Sequence, residues 1–311
     1  MTHKPTAAVS IGNLGKVFTD IRNHRAKGFL TEVHTSIAEV AGRLRHVAME
    51  HSDVSRISVR VLVGRNVDPA LASKIQIPWK HGNLACEAVI TVNQGVIGSL
   101  LYFGSNAVTR TTSSKTIAAE WALLGSLLIE KRSKKELPQD FALEILKKPS
   151  QSDIDQLIKI YKKAFTSYLT EFTPEVIRAM LAANIVAVVR DAEGRIAAVS
   201  QAEIARFTAA GEEWRLVELS ETASHPDFRG QGLAYACKEK VIEQFRGSEK
   251  TIVYAEPRAN LGAILMLNLD LGLTPVGRLD KHCLIDSSAR DVPQEGKFGN
   301  LFVFYLSTQA S

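Results

Sequence analysis

The stretch HPDFRGQGLAYACKEKV, His225 to Val241, sets a proline, an arginine and two glycines ahead of an apolar-periodic segment. A helix N-terminus exposes unpaired backbone N–H groups and a partial positive charge, and phosphates bind there readily. Close approach of a pyrophosphate needs residues without a bulky Cβ, which Gly230 and Gly232 supply. Glycine also reaches positive φ without strain. Arg229 adds a cation beside the same turn. Taken alone, these residues also fit a flexible strand-to-helix connection with no ligand.

The elements that must position this turn follow from the apolar pattern. The chain has 311 residues, enough for about two domains, with 45% hydrophobic and 23% charged residues and a formal net charge of +5. So mild a positive charge does not call for nucleic acid, and it suits a polyanionic small molecule equally well. Cys86, Cys237 and Cys283 form no CxxC pair, which argues against a zinc site or a disulfide scaffold; no metal is expected. Free thiols suit a reducing cytoplasm. No signal peptide and no membrane span is expected.

Residues 1–15 read as a loose arm. Val33, Ile37, Val40, Ala41, Leu44 and Val47 repeat at three and four, predicting a helix from Leu30. SRISVRVLVG alternates as a strand, and 84–93 and 96–103 read as two strands joined at Asn93-Gln94-Gly95. A helix is expected from Ser113 to Lys131. The charged, proline-ended segment 134–140 is the expected linker. Beyond it the predicted order is β-α-α-β-β-β-α-β-α-β-β, with Ser152 capping the first helix and Pro174 opening the second. This is an α+β (mixed α/β) order and not a plain doubly wound repeat.

Arg229-x-x-Gly232-x-Ala234, placed after a strand and before a helix, resembles the Arg/Gln-x-x-Gly-x-Gly/Ala signature of the GNAT superfamily of acyl-CoA N-acyltransferases. The element order over 141–311 resembles that fold, a mixed, mostly antiparallel sheet flanked by helices. The resemblance implies acetyl-CoA as cosubstrate. It implies Arg229, Gly230, Gln231, Gly232, Leu233 and Ala234 as the pyrophosphate cradle. It also implies that the main chain of Thr222, Ala223 and Ser224 meets the pantetheine arm. Within the superfamily, IYKKAFTSYLTEF, ELSETASHPDFRGQGLA, PRANLGAILMLNLDLGL, GRLDKHCLI and GKFGNLFVFYL are most similar to the beta-lysine N-acetyltransferase group.

Acyl transfer to an amine needs that amine neutral, and a free alkylammonium has a pKa near ~10.4. Glu218 and Glu221, on the strand before the turn, are the candidate catalytic carboxylates, acting directly, through water or by binding the ammonium. A solvated strand face or a structural ion pair is the plain alternative, and Glu256 is a third candidate. Many members of the superfamily carry a tyrosine four residues before the glycine that ends the last helix. Here that position is Asn268, which donates a hydrogen bond but no proton, so the usual acid is missing or replaced. Tyr254 is a substitute acid or a core residue. His225 packs or caps the turn, and His282 either reaches the substrate or is merely accommodated. Cys237 reads as core, and Tyr168 and Phe172 as an acceptor-side wall or core.

The first half, 16–133, resembles a reduced GAF-type domain, most clearly over 96–132, and would sense a ligand or pair two subunits as a homodimer. Trp79 and Trp121 line a small pocket there or fill the core. The expected whole is a cytoplasmic N-acetyltransferase acting on a small amino acid or amine. The alternatives are an acyl-CoA-binding regulatory protein with weak turnover, and a protein-lysine acetyltransferase controlled by the first half.

Overall fold

Polar caps decide where most of the helices begin. The computed structural model describes residues 14–130, 136–165, 171–285 and 291–308. The first half runs β1 (Val17–Asp20), β2 (Arg25–His34), α1 (Ile37–Glu50), β3 (Arg56–Gly64), α2 (Pro69–Ala72), β4 (Gln76–Trp79), β5 (Gly82–Gln94), β6 (Ile97–Asn106) and α3 (Ser114–Ile129). The second runs β7 (Ala142–Ile145), α4 (Gln151–Ala164), α5 (Pro174–Ala183), β8 (Ile185–Arg190), β9 (Ile196–Ala209), β10 (Glu212–Ser224), α6 (Leu233–Glu243), β11 (Thr251–Ala255), α7 (Gly262–Asp270), β12 (Thr274–Leu284) and β13 (Phe298–Leu306). This second order is the one the sequence predicts.

Ser36, Ser113 and Thr173 each accept a first-turn amide, from Glu39, Thr116 and Val176. Two expectations shift. The helix predicted from Leu30 starts at Ile37, because Leu30 and Val33 belong to β2, where they pair in parallel with Val61 and Leu62 of β3. Cross-strand burial outweighs a helical spacing that Val33 shares only by coincidence. The cap of α4 is Ser150, not Ser152: its hydroxyl accepts from Asp153 N at 3.1 Å while the Asp153 carboxylate accepts from Ser150 N at 2.8 Å, a capping box.

The strands form a mixed sheet of thirteen, in the order β1-β2-β3-β6-β5-β12-β13-β11-β10-β9-β8-β7 with β4 beside β5. Only β2·β3 and β10·β11 pair in parallel among the described residues. The two halves of the chain therefore share one sheet. They meet at β5 and β12, where Gly277 faces Ala88. A β-carbon at 277 would overlap Ala88 and the Glu87 carbonyl, so glycine permits the join. One apolar core spans the junction, with Phe29, Leu62 and Tyr102 packed among Phe207, Trp214, Ile252 and Leu301. Helix α3 also crosses it. Glu120 pairs with Arg278 at 2.7 Å, and Trp121 packs edge-on against Phe302 at 4.8 Å. Trp79 instead fills the core of the first half, so the two tryptophans do not share a pocket.

Of the expected arm, residues 1–13 lie outside the described residues, and Gly15 N donates to the Phe29 carbonyl at 2.7 Å. Residues 134 and 135 of the expected linker also lie outside them, as does Tyr168.

Candidate active site

β10 and β11 run paired from Arg215↔Thr251 to Glu218↔Tyr254 and then part. β10 continues to Ser224, whereas β11 stops at Ala255. A bulge turns β10 away: its register with β9 slips between Ser220 and Ala223, and Glu221 at the slip has φ 30°. Left-handed backbone at a non-glycine residue is uncommon, and bulges re-aim side chains in this way. The gap opens into a cavity of about 610 Å³. Thr222, Ala223 and Ser224 line it from β10, and Arg229 from the turn beyond.

After Ser224 the chain makes a short 3-10 turn, Pro226–Phe228, capped by His225, whose Nδ1 accepts from Asp227 N at 3.4 Å. Arg229 and Gln231 are exposed. Gly230 and Gly232 hold φ of 82° and 78°, a region L-residues enter at a cost of about 1–2 kcal/mol. Gly232 is the N-cap of α6 and offers its amides no side-chain partner. Leu233 anchors the helix start in the core and Ala234 is half-buried. The turn thus combines a cation, two glycines in the backbone state only they adopt easily, and a helix N-terminus with no side-chain cap.

Two carboxylates face the cavity from β10. Glu221 accepts a hydrogen bond from Gln201 Nε2, and burial pushes its pKa up to about 8. Glu218 accepts from Tyr254 Oη at 2.7 Å. The same hydroxyl accepts from Arg60 Nη1 at 2.6 Å. Burial lifts the Tyr254 hydroxyl well above its ordinary pKa, so this tyrosine serves as a fixed neutral donor to Glu218.

The cavity's far wall comes from the first half of the chain and from β12. Arg25 and Lys27 of β2 line it, both buried. Arg25 donates to Asp20 and to the His282 carbonyl, each at 2.9 Å. Burial first, and then the charges of Arg60 and Arg25, bring Lys27 down to about 8. Burial and the same cations hold His282 well below its usual pKa, leaving it neutral. Glu256 stands 3.4 Å from Arg60 and 3.8 Å from His282.

Beneath the gap, Lys238 of α6 reaches the cavity and donates from Nζ to Asn268 Oδ1 at 2.7 Å. Asn268 is fully buried on α7 and its Nδ2 donates to the Ile264 carbonyl at 2.7 Å. Burial lowers Lys238 to about 7, against the opposing pull of Glu218.

Residues 146–262 match a family model described as an acetyltransferase (GNAT) domain. The second half of the chain thus carries a segment that matches a GNAT acetyltransferase domain. No curated protein matches it by sequence. Among solved structures it is similar to NAA60 of Arabidopsis thaliana in complex with acetyl-CoA, at 16% identity over 53% of this chain and 97% of that one, TM-score 0.43. It is also similar to a ribosomal-protein-alanine N-acetyltransferase from Brucella melitensis, at 19% identity over 53% and 99%, TM-score 0.42. A spermidine N-acetyltransferase variant from Vibrio cholerae aligns at 14% identity over 55% and 95%, TM-score 0.41.

The residues singled out in sequence fall into two groups. Glu218, Glu221, Thr222, Ala223, Ser224 and Arg229 all line one cavity, and Glu256 and His282 join them. Asn268 stands behind Lys238, Cys237 is core, and Phe172 stacks on Tyr161 at 5.0 Å. Sequence reasoning missed Arg25, Lys27, Arg60 and Lys238. Only Lys238 carried a local signal, since its spacing of three and four to Val241 and Ile242 puts a lysine on the apolar face of α6. The others lie on a distant strand pair that no local pattern ties to β10. Among the described residues no His/Cys/Asp/Glu group could hold a metal ion, and no helix is long and apolar enough to cross a membrane.

Proposed function

We propose that this protein is an N-acetyltransferase that moves an acetyl group from acetyl-CoA to the amine of a small amino acid. One observation carries the reading. A single cavity joins Arg229, at the start of the glycine turn, with the buried carboxylates of β10 and the buried cations Arg25 and Lys27. The turn from Arg229 to Ala234 suits the pyrophosphate, with main-chain amides approached across Gly230 and Gly232. The edge of β10 from Thr222 to Ser224, turned from β11 by the bulge, suits the amide-bearing pantetheine arm.

Glu221 is the proposed base, and Glu218, held by Tyr254, an electrostatic partner for the acceptor's ammonium. With a pKa of about 8, Glu221 removes a proton from a free alkylammonium uphill by roughly 3 kcal/mol. Burial of the amine in the same cavity lowers its own pKa and narrows that gap. The neutral nitrogen attacks the thioester carbonyl, and the C–S bond breaks as the amide forms. The acceptor's carboxylate faces Arg25 and Lys27, which makes the first half of the chain a wall of the acceptor site. A bound carboxylate raises Lys27 from about 8 and keeps it charged. The resemblance to the beta-lysine N-acetyltransferase group agrees with an amino-acid acceptor.

The test is release of free CoA thiol from acetyl-CoA against paired acceptors, each amino acid beside the same amine without its carboxylate. Amino acids are expected to be preferred. The Lys27→Met variant should lose about 10- to 100-fold in kcat/KM for them, as expected for one charged hydrogen bond, with acetyl-CoA affinity kept. Equal use of both members of every pair would overturn the amino-acid reading.

A further inference from the structure

We propose that Lys238 is the group that delivers a proton to the CoA sulfur as the C–S bond breaks. The inference rests on the acyl-transfer reading above. Its ground is where the side chain sits. Lys238 rises from the second turn of α6, the helix whose N-terminus forms the glycine turn, and it lines the cavity where β10 and β11 part. A thioester laid from that turn along the edge of β10 toward Glu221 passes this nitrogen. The residue is 1% exposed, so bulk water does not solvate its ammonium. Asn268 Oδ1 holds Nζ at 2.7 Å, and Asn268 is itself fixed by the Ile264 carbonyl. One of the three N–H groups is used in this way, and an ammonium has others to direct at a ligand.

The surrounding charges suit the role. Glu218 and Glu221 of β10, Glu256 after β11 and Arg229 of the turn share the cavity with Lys238, as do the cations Arg25, Lys27, Lys163 and Arg258 and the neutral His282, while α7 presents the amide of Asn268. Burial brings Lys238 to about 7, and Glu218 opposes that fall. An ammonium of that acidity passes its proton downhill to a thiolate, whose conjugate acid lies near ~8.5 for a simple thiol.

The step balances. The acceptor ammonium loses one proton to Glu221, which returns it to solvent. The amine nitrogen then bonds the carbonyl carbon, and its second proton goes to Glu221. The C–S bond breaks with its electron pair on sulfur, which takes a proton from Lys238 Nζ. Glu221 discharges to solvent and Lys238 is recharged from it, so one proton is released per turnover.

Two measurements on the full chain test this, with Lys238→Met and Lys238→Arg beside the wild type. The first titrates the thiol of bound CoA by the ultraviolet absorbance of the thiolate, with no acceptor present. The wild type should hold that thiol at least about tenfold more acidic than Lys238→Met does; equal values overturn the proposal. The second is the pH dependence of kcat. The wild type should fall on the alkaline side as Lys238 loses its proton. Lys238→Met should lose about 100-fold in kcat and show no alkaline fall. Lys238→Arg keeps the charge, and should keep the acidic thiol, but it cannot shed its proton and should also lack the alkaline fall. Persistence of that fall in either variant overturns the proposal. Should Lys238→Met fail to fold, the alkaline limb of kcat in Lys238→Arg decides. Should the wild type transfer acetyl to no amine, the acyl-transfer reading fails, and the thiol titration still decides for or against Lys238.

Discussion

Glu221 shows how one residue's chemistry is set by its backbone. Its φ of 30° turns the carboxylate out of the regular pleat and into the cavity, and burial raises its pKa to about 8. Below that value it holds a proton and is no base. From pH 6 toward 7, kcat/KM should therefore rise several-fold, and level off above 7 as Lys238, at about 7, sheds its proton. Glu221→Gln should abolish the rise and lower kcat by about 100- to 1,000-fold, within the range of lost general-base catalysis. A pH–rate profile of both proteins checks this. At the turn, Gly232→Val should weaken acetyl-CoA by more than tenfold in calorimetric titration, since valine at φ 78° is strained by about 1–2 kcal/mol and carries bulk to the first amides of α6. Both positions stand out in sequence, because glycines ahead of a helix state a backbone requirement and strand carboxylates stand out by composition. Lys238 was harder to read. Its pattern signals burial, but whether a buried lysine faces a core or a cavity depends on Asn268, thirty residues further along.

At the level of elements, periodicity located what local interactions decide. The order from β7 to β13 follows from the apolar pattern, and Ser113 and Thr173 cap where their side chains make capping plausible. Misreadings arose where distant partners decide. Leu30 and Val33 look helical until β3 is placed beside them, and β1, α2 and β4 are too short to show a period. The start of α4 depends on a reciprocal pair, Ser150 and Asp153. Ser150→Ala should cost about 1 kcal/mol and lower the Tm by roughly 2–4 °C, and calorimetry should show it without change in acetyl-CoA affinity. The parting of β10 from β11 is the element-scale event on which the site depends, and only its aftermath, the glycine turn, is written in residue types.

The whole molecule is where sequence reading ran out. A boundary near 133 is natural to a linear reading, since the charged run there punctuates the pattern. Yet the sheet continues from β5 to β12, and the core around Phe29, Trp214 and Leu301 draws on both sides. Contacts separated by well over a hundred residues leave no local trace, so the placement of Arg25 and Lys27 beside β10 could not be foreseen. The junction at Gly277 makes a prediction of its own. Gly277→Val should drive β12 from β5 through the overlap with Ala88, and so shift the proposed acceptor wall against the proposed acetyl-CoA cleft. The KM for the acceptor should rise about tenfold or more, while the Kd for acetyl-CoA changes less than twofold.

That junction also bears on inheritance. Where two parts of a chain meet through a strand pair that tolerates no side chain at 277, neither can drift alone. A relative's first half, transplanted onto this second half, would bring its acceptor preference only if β5 and β12 were exchanged together. With the acceptor wall where it is proposed, substrate choice is passed on as a matched pair of edges and not as a detachable module.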